Sequence, residues 1–328
     1  MAHITRRGER WFAQLEVKGQ RSAKSFDTKA EAREWSKETE RLLRGGSHAT
    51  RTVRDVFERY AEKESPRKKS GVGEARRLLF YCRDPIATVP LYAVNASHFS
   101  AWRDRRVEQV SDSTVRRDMN TISSAFTTAV NEWKWLAENP LHKVRRPADH
   151  PPRFRRVSED EIAKINFCAG YTPGTPPESA TARTAAAFTL ACRSAMRSGE
   201  IMNLIREHVH ISHKPPWLHI PKGKTAAAKR DVPLILVGAV NVLRDVLALG
   251  LDPVFGLTPG RRDALWRKLM QRAGISDLHF HDSDHEGISR YAKLYPDVMR
   301  LAKVVGRTDL KVLLTVYYNP TIEELGRV

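Results

Sequence analysis

Apolar and polar residues alternate across positions 10–17, putting Trp11, Ala13, Leu15 and Val17 on one side of an extended segment. A Lys18-Gly19 turn and a second short run ending at Phe26 complete a small sheet. The period then changes. Thr28 and Glu31 form a capping box that opens a helix through Ala32 and Trp35 toward Leu42 and Leu43, and Gly45, Gly46 and Ser47 end it. A second helical pattern starts at Thr52, with Val53, Val56, Phe57, Tyr60 and Ala61 on one face. A longer stripe follows Ser113 through Val115, Met119, Ile122, Phe126, Ala129, Val130 and Trp133, with Arg116, Arg117 and Asp118 off it. Residues 139–156 hold four prolines and many basic residues without periodicity, which predicts an extended linker. Ser158 and Glu161 form another capping box, with Val157 placed to staple onto Ile162, and a helical domain begins there. Within it, 218–235 alternates around a polar middle as a hairpin does. The predicted fold class is therefore α+β, mainly α.

Charge narrows the function. Lysine and arginine number 56 against 38 aspartates and glutamates in 328 residues, a net charge of +18. Such an excess points to a polyanionic partner. Cys82, Cys168 and Cys192 lack the close pairing of a zinc site or disulfide framework, which fits a reducing cytoplasm. The start lacks the apolar core of a signal peptide, and Asn241, Arg244 and Asp245 interrupt the most apolar later stretch, so no membrane segment is expected.

Three stretches carry candidate chemistry. In 187–204 an apolar helix runs into Met196-Arg197-Ser-Gly-Glu200-Ile, where Glu200 is placed to orient the Arg197 guanidinium. In 221–234 the hairpin tip offers Lys224, with Lys222 and Lys229 as competitors. Residues 278–290 contain His281, Asp282, His285, Ser289 and Arg290, and farther on come Gly306-Arg307 and the segment Leu313-Leu-Thr-Val-Tyr317-Tyr318-Asn-Pro.

These stretches resemble the boxes of the phage integrase family of tyrosine recombinases. They match its Arg-x-Gly-Glu-Ile turn, its lysine hairpin, its His-Asp-Leu-Arg-His-x-x-x-Ser pattern and its terminal Tyr-Tyr-Asn-Pro. The resemblance implies an arm-type DNA-binding domain over 1–48, a helical core-binding domain over 51–138, the basic linker over 139–156 and a catalytic domain over 157–328. It further implies site-specific cutting and rejoining of double-stranded DNA at attachment-type sites through a 3′-phosphotyrosine. Neither cofactor nor metal is needed. Four protomers on two duplexes are implied, with host or phage accessory DNA-bending proteins as further partners, in the nucleoid of a bacterial cytoplasm. Arg197 would hold the phosphate, Lys224 would protonate the leaving oxygen, His281 and His285 would handle protons or orient groups, and Tyr317 would attack. Counting from Asn319-Pro320 gives Tyr317 as nucleophile, with Tyr318 as alternate, whereas counting from Gly306 falls one residue short, on Val316.

Two positions depart from the pattern. Asp284 stands where the second phosphate-clamping arginine belongs, and Arg307 replaces the histidine after Gly306. A tyrosine with a pKa near about 10 needs cations or a base to become a nucleophile, and guanidinium groups stabilise the charge that grows on the phosphate oxygens. Losing one such cation costs about 4 kcal/mol at an effective dielectric of ~20 and ~4 Å, roughly a thousandfold in rate. Weakened cleavage is expected, partly recovered if Asp284 is protonated or if Arg307 or Arg290 moves into the gap, and Asp284→Arg is expected to raise covalent adduct formation. The alternative is a catalytically degenerate homologue that binds DNA without cutting it. A metal-hydrolase reading of His279, His281, Asp284 and His285 has the wrong spacing and leaves Arg197, Lys224 and Tyr317 unexplained. For DNA contact the candidates are Arg6, Arg7, Arg10, Arg21, Lys24, Arg116, Arg117, Arg145 and Arg146, mainly through phosphates. Trp11, Phe26 and Trp35 are read as small-domain core in preference to base-stacking groups.

Overall fold

A computed structural model describes residues 2–17, 20–44, 50–148, 153–221 and 229–317. The chain forms two compact units, Met1–Pro151 and Pro152–Val328.

The first unit opens with strands β1 (His3–Arg7), β2 (Arg10–Val17) and β3 (Gln20–Phe26), an antiparallel sheet in that order. Helix α1 (Lys29–Arg44) starts at the predicted box, in which the Thr28 amide donates to Glu31 and the Glu31 amide to Thr28 Oγ1, both at 3.2 Å. Ala13, Leu15 and Ala32 are buried, and Phe26 and Trp35 lie 5.4 Å apart between ring centroids. The pairing register divides the basic candidates. Arg7 pairs with Arg10, and Arg21 with Glu16, on the face opposite the core; Arg6 and Lys24 stand across from Trp11 and Ala13, on the core-facing side. All five are exposed at the residue level, so the open face carries three of them and the sheet margin two.

Helices α2 (Val53–Lys63), α3 (Gly71–Tyr81), α4 (Ala96–Val107) and α5 (Asp112–Asn131) enclose the second core of this unit. The stripe residues predicted on α2 are buried, as are Val115, Met119, Ile122, Phe126 and Ala129 on α5. Asp118, expected off the stripe, is 2% exposed. It accepts from the Tyr81 hydroxyl and faces Arg77 at 3.3 Å and Arg106 at 3.6 Å, so three donors offset the cost of burying its charge. Arg117 is exposed, whereas Arg116 donates to the Pro147 carbonyl at 2.8 Å. The expected linker also starts later than its composition suggests. Leu141 and Val144 are buried in the helical core, Arg145 is exposed and Arg146 donates to Asn120. Apolar residues among the prolines found a surface to cover, which overrides the lack of periodicity.

The second unit is built around α7 (Ala180–Ser194), buried along most of its length. It packs against α6 (Glu159–Ala169), α9 (Ala239–Leu247), α10 (Pro259–Ala273) and α11 (Asp282–Leu294). The short α8 (Ser198–Met202) follows α7 directly. Strands β4 (Val209–His210), β5 (Trp217–Ile220) and β6 (Arg230–Pro233) form an antiparallel sheet, with Ile220 opposite Arg230. Beyond α12 (Val298–Val305), α13 (Leu310–Val312) runs into one π turn, Leu313–Tyr317. At Gly287 on α11 an added Cβ would stand 2.7 Å from the Ala195 Cα and 2.8 Å from the Ala191 carbonyl oxygen, so only glycine admits this approach of α11 to the end of α7. Among the described residues no helix is long and apolar enough to cross a membrane.

Candidate active site

The turn after α7 carries Arg197. Ala195 closes the helix in the left-handed conformation, and Arg197 then caps α8 in extended backbone. Glu200, one turn on, accepts from the Arg197 amide at 2.9 Å and from its Nη1 at 3.0 Å. A single carboxylate thus fixes both the backbone and the guanidinium. Arg197 Nη2 donates to the Gly306 carbonyl at 2.9 Å, and its side chain stays 25% exposed.

Glu200 also holds Arg230, with Arg230 Nη2 3.0 Å from Oε2 and Nη1 3.1 Å from Oε1. Arg230 Nε donates to the Val304 carbonyl at 2.8 Å. The flanking arginines hold the Glu200 carboxyl below its ordinary range against the opposing pull of burial. Sequence reading missed Arg230. Its signal was the strand period, which puts it on the same side of β6 as the buried Val232. Gly306, at φ 64°, runs so close to this guanidinium that an added Cβ would meet Arg230 Nη1 at 2.8 Å.

Arg307 turns into the opening of α11, where its Nη2 pairs with Asp284 Oδ2. Asp284 is 2% exposed, and among the described residues its other oxygen accepts no hydrogen bond. Of the two arginines expected at the gap, Arg307 is the one that reaches Asp284. Arg290 is spent elsewhere, donating to Glu286 at 2.7 Å and to Glu159. An arginine at position 284 would stand beside the Arg307 guanidinium in place of the carboxylate that now meets it.

The next residue, His285, meets the Tyr317 hydroxyl through Nδ1, and the two rings lie 5.8 Å apart, 21° from parallel. Burial pushes the His285 pKa down, opposed by the Asp284 charge, so near neutral pH the imidazole is uncharged. Burial pushes the Tyr317 phenol up to about 12; Asp284 adds to the shift and Arg307 opposes it. His281 is exposed, with its ring 5.3 Å from that of His285. Contacts thus run without a break from Arg197 through Gly306, Arg307, Asp284 and His285 to Tyr317.

A π turn lies between Gly306 and Tyr317, where the two counts disagree. Its wider turn absorbs one extra residue in a helix, and it ends at Tyr317, which fits a residue inserted between Gly306 and the tyrosine. Lys222, Lys224 and Tyr318 lie outside the described residues. Among the described residues no group of three or more His, Cys, Asp or Glu side chains is placed to hold a metal ion, and Asp284 is engaged by Arg307.

The family model "Phage integrase family" matches residues 155–324, and "Phage integrase, N-terminal domain" matches 49–147. The chain belongs to the phage integrase family of tyrosine recombinases. It is 33% identical to a putative integrase/recombinase of Haemophilus influenzae, over 99% of this chain and 89% of that one. A shufflon-specific DNA recombinase of Escherichia coli is 30% identical, over 79% of this chain and 66% of its own length. Among solved structures, a lambda integrase dimer bound to a COC′ core site superposes with a TM-score of 0.67 at 17% identity, covering 100% of this chain and 95% of that one. A lambda integrase tetramer bound to a Holliday junction gives 0.64 at 16% identity, covering 98% and 96%. These likenesses support the α+β architecture.

Proposed function

We propose that this chain cuts and rejoins double-stranded DNA at attachment-type sites, with Tyr317 as the nucleophile. The observation that carries the reading is the unbroken run of contacts from Arg197 to Tyr317. Tyr317 Oη attacks the phosphorus and passes its proton to neutral His285. The bond to the 5′ oxygen breaks, Lys224 protonates that oxygen, and the 3′-phosphotyrosine keeps the energy of the broken bond for rejoining. Arg197 grips the nonbridging oxygens, where developing charge makes a fixed guanidinium most valuable. Arg307 supplies the second guanidinium: Asp284 engages one nitrogen of the fork, and the others remain to face a phosphate. Exposed His281 orients the same phosphate. Tetramers on two duplexes, assisted by DNA-bending proteins, would carry out the exchange, as the lambda tetramer on a Holliday junction suggests.

A second reading has its own observation. Asp284 neutralises Arg307, which favours a protein that occupies such sites without cleaving them. A nicked suicide substrate separates the two. The wild type and Tyr318→Phe are expected to form a denaturant-resistant adduct, and Tyr317→Phe to form none. Adduct surviving in Tyr317→Phe would reject the assignment. A wild type that shifts DNA yet forms no adduct would establish the binding reading.

A further inference from the structure

We infer that Phe154 is a positioning residue for the Tyr317 phenol, pressed onto it by a strap of arginines spent on carboxylates instead of on DNA. The inference rests on the proposed role of Tyr317. The Phe154 ring lies 6.0 Å from that of Tyr317 and 6.4 Å from that of His285, tilted at 69° and 87°. Edge-to-face contacts of this kind favour one mutual orientation, because ring edge and ring face carry opposite partial charge. The phenylalanine itself is 49% exposed.

Its neighbours explain how it stays there. Arg153 reaches both oxygens of Asp282 at 2.9 Å and Asp277 at 2.8 Å. Arg155 reaches Glu161 at 2.5 Å, and Arg156 reaches Glu286 at 2.7 Å. Asp282 and Glu286 are 1% and 2% exposed, and both lie on α11, the helix that carries His285. The strap is therefore fastened on both sides of Phe154 to the element that presents the phenol's partner. A ring held between two such anchors has little freedom of its own, so it limits the freedom of Tyr317 and keeps water from one side of the phenol. Both effects bear on reactivity, because a phenol that wanders seldom meets the phosphorus in line, and a drier phenol ionises less readily.

The test uses the full chain with a fluorinated tyrosine at position 317, whose phenol ionises nearer neutrality and is read by fluorine resonance. In DNA-free protein, Phe154→Ala is expected to raise the phenol's ionisation constant by about tenfold, and Phe154→Tyr to leave it near the parent value. On the nicked substrate, with the ordinary tyrosine, Phe154→Ala is expected to slow adduct formation by about tenfold at unchanged DNA affinity, with Phe154→Tyr restoring the rate. A fluorine shift and ionisation unmoved by Phe154→Ala would overturn the inference whatever the adduct assay gives. If the wild type forms no adduct, the cleavage reading fails, and the fluorine titration alone decides the role of Phe154.

Discussion

Arg197 and Arg307 approach the site from two sides, and each is met by a carboxylate, yet the two arrangements differ in how much positive charge they leave over. On the first side Glu200 is shared between Arg197 and Arg230, two guanidiniums to one carboxylate. On the second side Asp284 meets Arg307 alone. The first pairing orients two guanidiniums on one carboxylate. The second also orients a cation but cancels it. Geometry is therefore an incomplete guide to a phosphate site: the ratio of cations to carboxylates decides how much attraction remains.

The largest effect should come from removing the shared carboxylate. Arg230 is nearly buried, with 5% of its side chain exposed, and Glu200→Gln removes the charge of the carboxylate that it shares with Arg197. Denaturant unfolding should register a loss of about 3–5 kcal/mol. Asp284→Asn should cost far less, because the Arg307 side chain is 32% exposed and can turn to water. Equal losses from the two variants would erase the distinction between the two sides.

Glu286 offers a sharper version of the first arrangement, since it too is shared, between Arg156 and Arg290, and accepts from the Val157 amide at 3.0 Å. These donors lower its pKa to about 2 despite burial. A carboxyl depressed in the folded state stabilises the fold above its unfolded pKa of about 4.3 and loses that contribution as pH falls toward the folded value. Unfolding measured from pH 5 downward should therefore lose about 3 kcal/mol across that window. In Glu286→Gln the loss over the same interval should be smaller by about that amount; a loss equal to the wild type's would contradict the assignment.

A smaller effect is expected on chemistry from the second side. Asp284→Asn removes the cancelling charge while keeping the side-chain size, and adduct formation should rise by about tenfold. An unchanged rate in a variant with normal DNA affinity would mean that Arg307 contributes nothing to the phosphate. The paired change Asp284→Arg with Arg307→His avoids setting two guanidiniums together, and should outperform Asp284→Arg alone.

Much of this was legible in the chain because it is local. The boxes at Thr28 and Ser158 and the stripes of α2 and α5 depend on residues a few positions apart, and they appear where the periods put them. Arg197 with Glu200 was legible for the same reason, as neighbours on one turn. Less was legible where partners come from distant sequence. Asp118 stands three residues after Val115 and four before Ile122, at the edge of the stripe, so its spacing allowed burial while its charge argued against it, and the Tyr81, Arg77 and Arg106 that offset the charge come from other helices. The 139–156 segment was read from its prolines, but Leu141 and Val144 had a core to join, and Arg153, Arg155 and Arg156 had carboxylates to reach. The pairing of Arg307 with Asp284 spans a gap in sequence that no local pattern bridges.

The bare backbone at Gly287 has a mechanical consequence. Because α11 touches the end of α7 there without an intervening side chain, the segment bearing His285 and the turn bearing Arg197 behave as one casting, with no soft layer to shear. On the proposed cleavage reading, any rearrangement is thereby pushed outward, to the carboxyl-terminal stretch that carries Tyr317, while the Arg197 turn and α11 move together.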